Sequence, residues 1–205
     1  MERGERVGRA RRRRKRTRLK ILLALVIVVV VGLGGLFGYG VLRGIFGNDP
    51  PSALDGYLDG GGITYSFPGE QTSVRLPEDP RFQTSTATVG GITVVISSAV
   101  VERATYEMNF YKYEAGVLRQ GDPVSIRRAL EGGSDSAATA VGLSIQRTDD
   151  APLGGRPARS VHGTVKGDQA DLVMVYAKGN IYAMFVHTKK GSTAVLKKFE
   201  ESFQP

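Results

Sequence analysis

Cysteine is absent from all 205 residues. That excludes a disulfide framework, a thiolate metal site, a cysteine nucleophile and the lipidated cysteine of a bacterial lipoprotein. Histidine is nearly absent too, with His162 and His187 the only two. No HExxH, phosphate-binding P-loop, GxSxG or EF-hand spacing occurs, so no cofactor and no metal site is expected. Charge is missing over one long stretch, the 22 residues from Ile21 to Leu42. At 41% hydrophobic and 23% charged, the chain is nevertheless too apolar for general disorder and long enough for one domain with an appendage.

The formal net charge of +8 is unevenly placed. Residues 1–20 hold 11 Lys/Arg against Glu2 and Glu5, whereas residues 48–205 hold 16 Lys/Arg against 18 Asp/Glu. The globular part is therefore almost neutral, and the basic balance belongs to the tail. At about 1.5 Å of rise per residue the 21–42 run reaches roughly 33 Å, enough for one helical span of a bilayer core about 30 Å thick. Eight basic residues from Arg11 to Lys20 crowd its N-terminal flank, against Arg43 alone on the other side before Asp49. The positive-inside rule then predicts a cytoplasmic 1–20 tail, a 21–42 transmembrane helix and an external C-terminal part. A cleaved signal peptide is the alternative that the Gly-rich end of the run leaves open, and it is disfavoured because the run exceeds the usual length of about 7 to 15 apolar residues and no clear small-x-small cleavage site follows. Gly34 and Gly38 form a GxxxG pair that would allow a weak helix dimer. The tail suits anionic lipid headgroups; no aromatic residue interleaves its arginines, so nucleic acid is not an expected partner.

Residues 43–62 read as a linker, with Asn48-Asp49-Pro50-Pro51-Ser52 and Gly60-Gly61-Gly62, and the domain is expected to cover 63–205. Ile63, Tyr65 and Phe67 alternate with Thr64 and Ser66 as in a short strand ended by Pro68-Gly69. Phe82–Val89, Gly90-Gly91, Ile92–Val101 and the alternation of Tyr106, Met108 and Phe110 predict an antiparallel meander. Asp122-Pro123 opens a helix bearing Ile126, Leu130, Ala137, Ala138 and Val141, which Gly132-Gly133 is expected to break or loosen. Strands are expected over Leu143–Arg147, Ser160–Val165, Ala170–Ala177 and Ile181–Thr188. A last helix capped by Ser192 would carry Val195, Leu196, Phe199 and Phe203 on one face. Strands, helix, strands, helix implies α+β with an antiparallel sheet. Pairing across turns at Lys166–Gln169 and Lys178–Asn180 puts Val161, Val165, Leu172, Met174, Tyr176, Tyr182, Met184 and Val186 on one face. Val173, Val175, Ile181, Ala183 and Phe185 fall on the other, so both faces are apolar and each should be covered by one helix.

The segments Ile63-Thr64-Tyr65-Ser66-Phe67-Pro68-Gly69, Leu153-Gly154-Gly155-Arg156-Pro157-Ala158-Arg159, Asn180-Ile181-Tyr182 and Phe199-Glu200-Glu201-Ser202-Phe203 together resemble the PsbP-like α/β/α sandwich domains of bacterial envelope proteins. The resemblance covers about residues 61–205. It implies a non-enzymatic accessory or binding module attached to the cell envelope, here by a membrane helix rather than a lipidated cysteine. The excess of Arg over Lys would suit an actinobacterial-type, GC-rich genome.

In the register just given, His187 falls opposite Asp171, with Thr164 next in the row, the one arrangement that suggests a hydrolase. No motif supplies a nucleophile, and both histidines sit in strands, so the non-catalytic reading is preferred. Its target would be an envelope membrane protein or a lipid. Tyr111 and Tyr113, on the strand face opposite Tyr106 and Phe110, are the candidate binding residues, because tyrosine is enriched at interface centres.

Overall fold

A computed structural model describes residues 53–89, 92–103, 105–116, 118, 121–189 and 191–205. The basic tail, the 21–42 run with Gly34 and Gly38, positions 43–52 of the expected linker and the Gly90-Gly91 turn lie outside those residues. Among the described residues no helix is long and apolar enough to cross a membrane.

The elements run α1 (Ala53–Leu58), β1 (Ile63–Ser66), β2 (Ser73–Leu76), β3 (Arg81–Val89), β4 (Ile92–Glu102), β5 (Tyr106–Ala115), α2 (Pro123–Ala140), β6 (Ser144–Asp149), β7 (Ala158–Val165), β8 (Asp168–Ala177), β9 (Asn180–Thr188) and α3 (Ser192–Ser202). The fold is α+β with two antiparallel sheets. Seven strands pair in the order β3-β4-β5-β9-β8-β7-β6, and β1 pairs with β2 apart from them. Two hairpin ribbons, β3-β4-β5 and β6-β7-β8-β9, thus meet at the β5·β9 seam. There Tyr106 lies opposite Thr188 and Tyr113 opposite Ile181.

Both faces of the large sheet are apolar, as alternation predicts for central strands covered on two sides. One core contains Ile96, Tyr111, Leu172, Met174, Ala183 and Phe185, with Ile126, Leu130 and Ala137 of α2 packed among them. The other contains Met108, Phe110, Val173, Tyr182, Met184 and Val186 with Val195, Leu196 and Phe199 of α3, and it takes in Leu54 and Tyr57 of α1 and Val74 and Leu76 of β2. Phe67, Phe110 and Tyr182 stack in sequence at centroid distances of 5.0 and 5.8 Å, tying β1's exit to the sheet.

Four local expectations are corrected. α2 runs unbroken for 18 residues; Gly133, Ser134, Ala137 and Ala138 face the sheet, where small side chains let the backbone approach. Asp122 caps it by accepting from the Ser125 amide at 3.1 Å. Ser192 is the first buried residue of α3 rather than its cap, which is Gly191. The domain also begins earlier than residue 63, because α1 buries Leu54 and Tyr57 in the second core.

The fourth correction is one of register. Lys166-Gly167 and Lys178-Gly179 are two-residue turns with every φ positive (52°, 92°, 49° and 78°), the type I′ geometry that suits strand twist. Val165 therefore pairs with Asp168 and Ala177 with Asn180. Tyr182, Met184 and Val186 consequently share a face with Val173 and Val175, not with Leu172 and Met174. A one-residue change of turn length moves every side chain of β9 to the other face.

Candidate functional site

Tyr111 and Tyr113 stand on the α2 side of β5, opposite in facing to Tyr106 and Phe110, as strand alternation requires. They are not surface residues: their exposures are 0% and 2%, and their rings stack at 6.2 Å. The expectation that this pair offers a binding surface is corrected, because both sheet faces are core. Their hydroxyls, with Asn109 Oδ1 and His187 Nε2, are buried without a hydrogen-bond partner. The same face of the β5·β9 seam carries Glu107 directly opposite His187. Burial pushes the Glu107 carboxyl up to about 7, while an amide hydrogen bond from Asn109 and the charge of Lys166 pull it the other way. Burial lowers His187, and the Asp168 carboxylate at 3.8 Å opposes that. The spacing of Glu107, Asn109, Tyr111 and Tyr113 every second residue carried this polar strip in the sequence.

The histidine chemistry is exchanged by the register correction. Ala170, not Asp171, lies opposite His187, and Asp171 lies opposite His162. His187 and Asp171 occupy opposite faces of the sheet, so the expected Asp171, His187 and Thr164 line does not form. His162 Nδ1 instead meets Asp171 Oδ1 at 2.6 Å, and its Nε2 faces Asp149 at 3.4 Å. Glu200 of α3 feels both groups and is raised, mainly by burial. The edge of His162 that a hydrolase would turn toward a nucleophile is thus met by a carboxylate. Among the described residues no group of three or more His, Asp and Glu is arranged to hold a metal ion.

Among the described residues a cavity of about 420 Å³ lies where α1, the β1-β2 hairpin, the last turn of α3 and the C-terminal tail converge. That volume lies within the range of small-molecule sites, about 300–1,000 Å³. Gly62 makes the junction possible: at φ +95°, a Cβ there would lie 2.5 Å from the Leu76 carbonyl oxygen. The tail closes the other side, Ser73 and Gln204 exchanging two backbone hydrogen bonds of 2.8 Å. Ser202 Oγ accepts from the Arg75 amide at 2.8 Å and donates to the Phe199 carbonyl at 2.8 Å, locking α3 to β2. Thr64 and Arg75 are cross-strand partners and share a face. The Tyr57 hydroxyl is buried without a hydrogen-bond partner, and burial holds its ionisation well above the ordinary tyrosine value. Sequence reasoning missed this site because residues 43–62 read as linker; Leu54, Tyr57 and Leu58 at helical spacing were its signal.

No family model matches the chain, and no curated protein matches it. Among solved structures, it is similar to a crystal structure of PA94 from Pseudomonas aeruginosa, a protein of unknown function. The two share 13% identity over 71% of this chain and 98% of that one, with a TM-score of 0.32, a likeness too slight to carry an argument.

Proposed function

We propose that this chain is a non-catalytic binding module of the cell envelope, single-pass, with a cytoplasmic basic tail and an extracytoplasmic α/β/α domain of PsbP-like type. The observation that carries the reading is the continuity between the apolar run and the cavity. Ala53, which opens α1, follows Leu42 by eleven residues, and Tyr57 of the same helix lines the cavity. Eleven extended residues reach at most about 40 Å, so a 21–42 span would hold the cavity close to the bilayer surface. A tether of that length raises the local concentration of any ligand borne by the membrane. The His162 environment favours binding over hydrolysis, since both ring nitrogens face carboxylates.

Protease added to intact spheroplasts tests the topology, with tags at both ends of the full chain. The expected result is loss of the C-terminal tag and the domain with survival of the N-terminal tag. A protected domain would overturn the reading.

A further inference from the structure

Arg75 of β2 and Lys198 of α3 line the same cavity, and neither enters an ion pair among the described residues. The wall's carboxylate, Glu201, is 3.9 Å from Lys197 Nζ on the outer side of the helix. Tyr57, 2% exposed, brings a buried hydroxyl with no partner to this wall. Its neighbour Ser202 gives its proton to the Phe199 carbonyl, which leaves its oxygen to Tyr57 only as an acceptor. Two cations from different elements and a tyrosine hydroxyl beside them suit an oxyanion, which takes charge-assisted hydrogen bonds from several directions. The cavity of about 420 Å³ is much larger than a bare phosphate. Glu201 can accept hydrogen bonds but repels a second anionic group, so the remainder of the ligand should offer hydroxyl donors.

We propose that this cavity binds a phosphorylated polyol, its phosphate held by Arg75 and Lys198 with the Tyr57 hydroxyl donating to it, and its hydroxyls donating to Glu201. The proposal rests on the binding-module reading and names the ligand class of that site. A glycerophosphate-type group meets this chemistry either as a lipid headgroup or as a free molecule.

The full chain in nanodiscs of phosphatidylcholine, whose headgroup has no polyol, is titrated with glycerol 3-phosphate by calorimetry. A parallel arm places phosphatidylglycerol in the disc and follows stabilisation of the protein. Saturable glycerol 3-phosphate binding assigns a free ligand; an effect confined to phosphatidylglycerol assigns the lipid. In whichever arm responds, Arg75→Gln and Lys198→Gln should each weaken binding about tenfold or more, and Tyr57→Phe about three- to tenfold. The basic tail is the same in every variant, so sensitivity to Arg75 and Lys198 separates the cavity from the tail. Unchanged affinity in the Arg75→Gln, Lys198→Gln double variant, or no response in either arm, would overturn the proposal. Orientation is immaterial in a nanodisc, so a reversed topology in spheroplasts would sink the tether reading and leave this result standing.

Discussion

His162 Nδ1 lies 2.6 Å from Asp171 Oδ1 across the β7·β8 ladder, on the α3 side of the sheet, while His187 stands on the α2 side. Asp171 is 3% exposed and its second oxygen has no partner, so the carboxylate depends on the imidazole for compensation. Removing one partner of a buried pair strands the other charge, whereas replacing both by apolar groups removes the desolvation cost as well.

His162→Leu is therefore expected to destabilise the domain by about 2–4 kcal/mol in denaturant unfolding. Adding Asp171→Leu should recover much of that loss. A double variant as unstable as the two single losses combined would show that the pair is not coupled.

The class of the fold was legible in the alternation of Ile63 to Phe67, Tyr106 to Phe110 and Ile181 to Thr188, and in the Asp122-Pro123 helix start. Those signals are local. The facing of β9 was not legible, because it depended on whether Asn180 closes the Lys178 turn or opens the strand, and asparagine is itself favoured in turns. That one-residue difference took Asp171 away from His187, and the shorter Lys166 turn set Asp171 opposite His162. The cavity was hidden for a different reason. α1 is six residues long, too short for its Leu54, Tyr57 and Leu58 spacing to stand out within a Gly- and Pro-rich stretch, and it is stable only because Leu54 and Tyr57 pack in a core built far along the chain.

The two lysine turns give a direct check on that explanation. At φ 52° and 49° each lysine sits in the left-handed region, which asparagine tolerates better, and Asn-Gly is the preferred type I′ pair. Lys166→Asn and Lys178→Asn should each stabilise the domain by about 0.5–1 kcal/mol by denaturant unfolding. Destabilisation by both would argue against the two-residue turns and hence against the His162 and Asp171 pairing.

Gly163 offers a test of the β6 edge. A Cβ at this position would lie 2.1 Å from the Ser144 carbonyl oxygen and 3.2 Å from Leu143 Cδ1, beside the register shift between Ile145 and Arg147. The nearer obstacle is backbone, which a rotamer change cannot relieve. Gly163→Ala is expected to cost about 2 kcal/mol or more and to raise amide exchange first in β6 and β7. Unaltered exchange in those two strands would contradict the close approach.

Glu107 and His187, opposite each other on the β5·β9 seam, give the domain a pH signature in which they pull in contrary directions. Burial raises Glu107 from 4.5 to about 7, so the folded state holds its proton more tightly than the unfolded chain. Its contribution to stability is greatest at low pH and is lost as pH rises from about 4.5 through 7. His187 is lowered from 6.5, again chiefly by burial, so its contribution is complete above that value and declines as pH falls below it. Glu107→Gln keeps an acceptor for the Asn109 amide and removes the first effect alone. The variant should gain about 1–2 kcal/mol over the parent at pH 7.5 and little at pH 4.5, leaving a stability that rises with pH between 5 and 6.5. Denaturant unfolding across that range reads both slopes. An equal effect of Glu107→Gln at pH 4.5 and 7.5 would mean that the carboxyl is ordinary and that the strip of Glu107, Asn109, Tyr111 and Tyr113 is open to water.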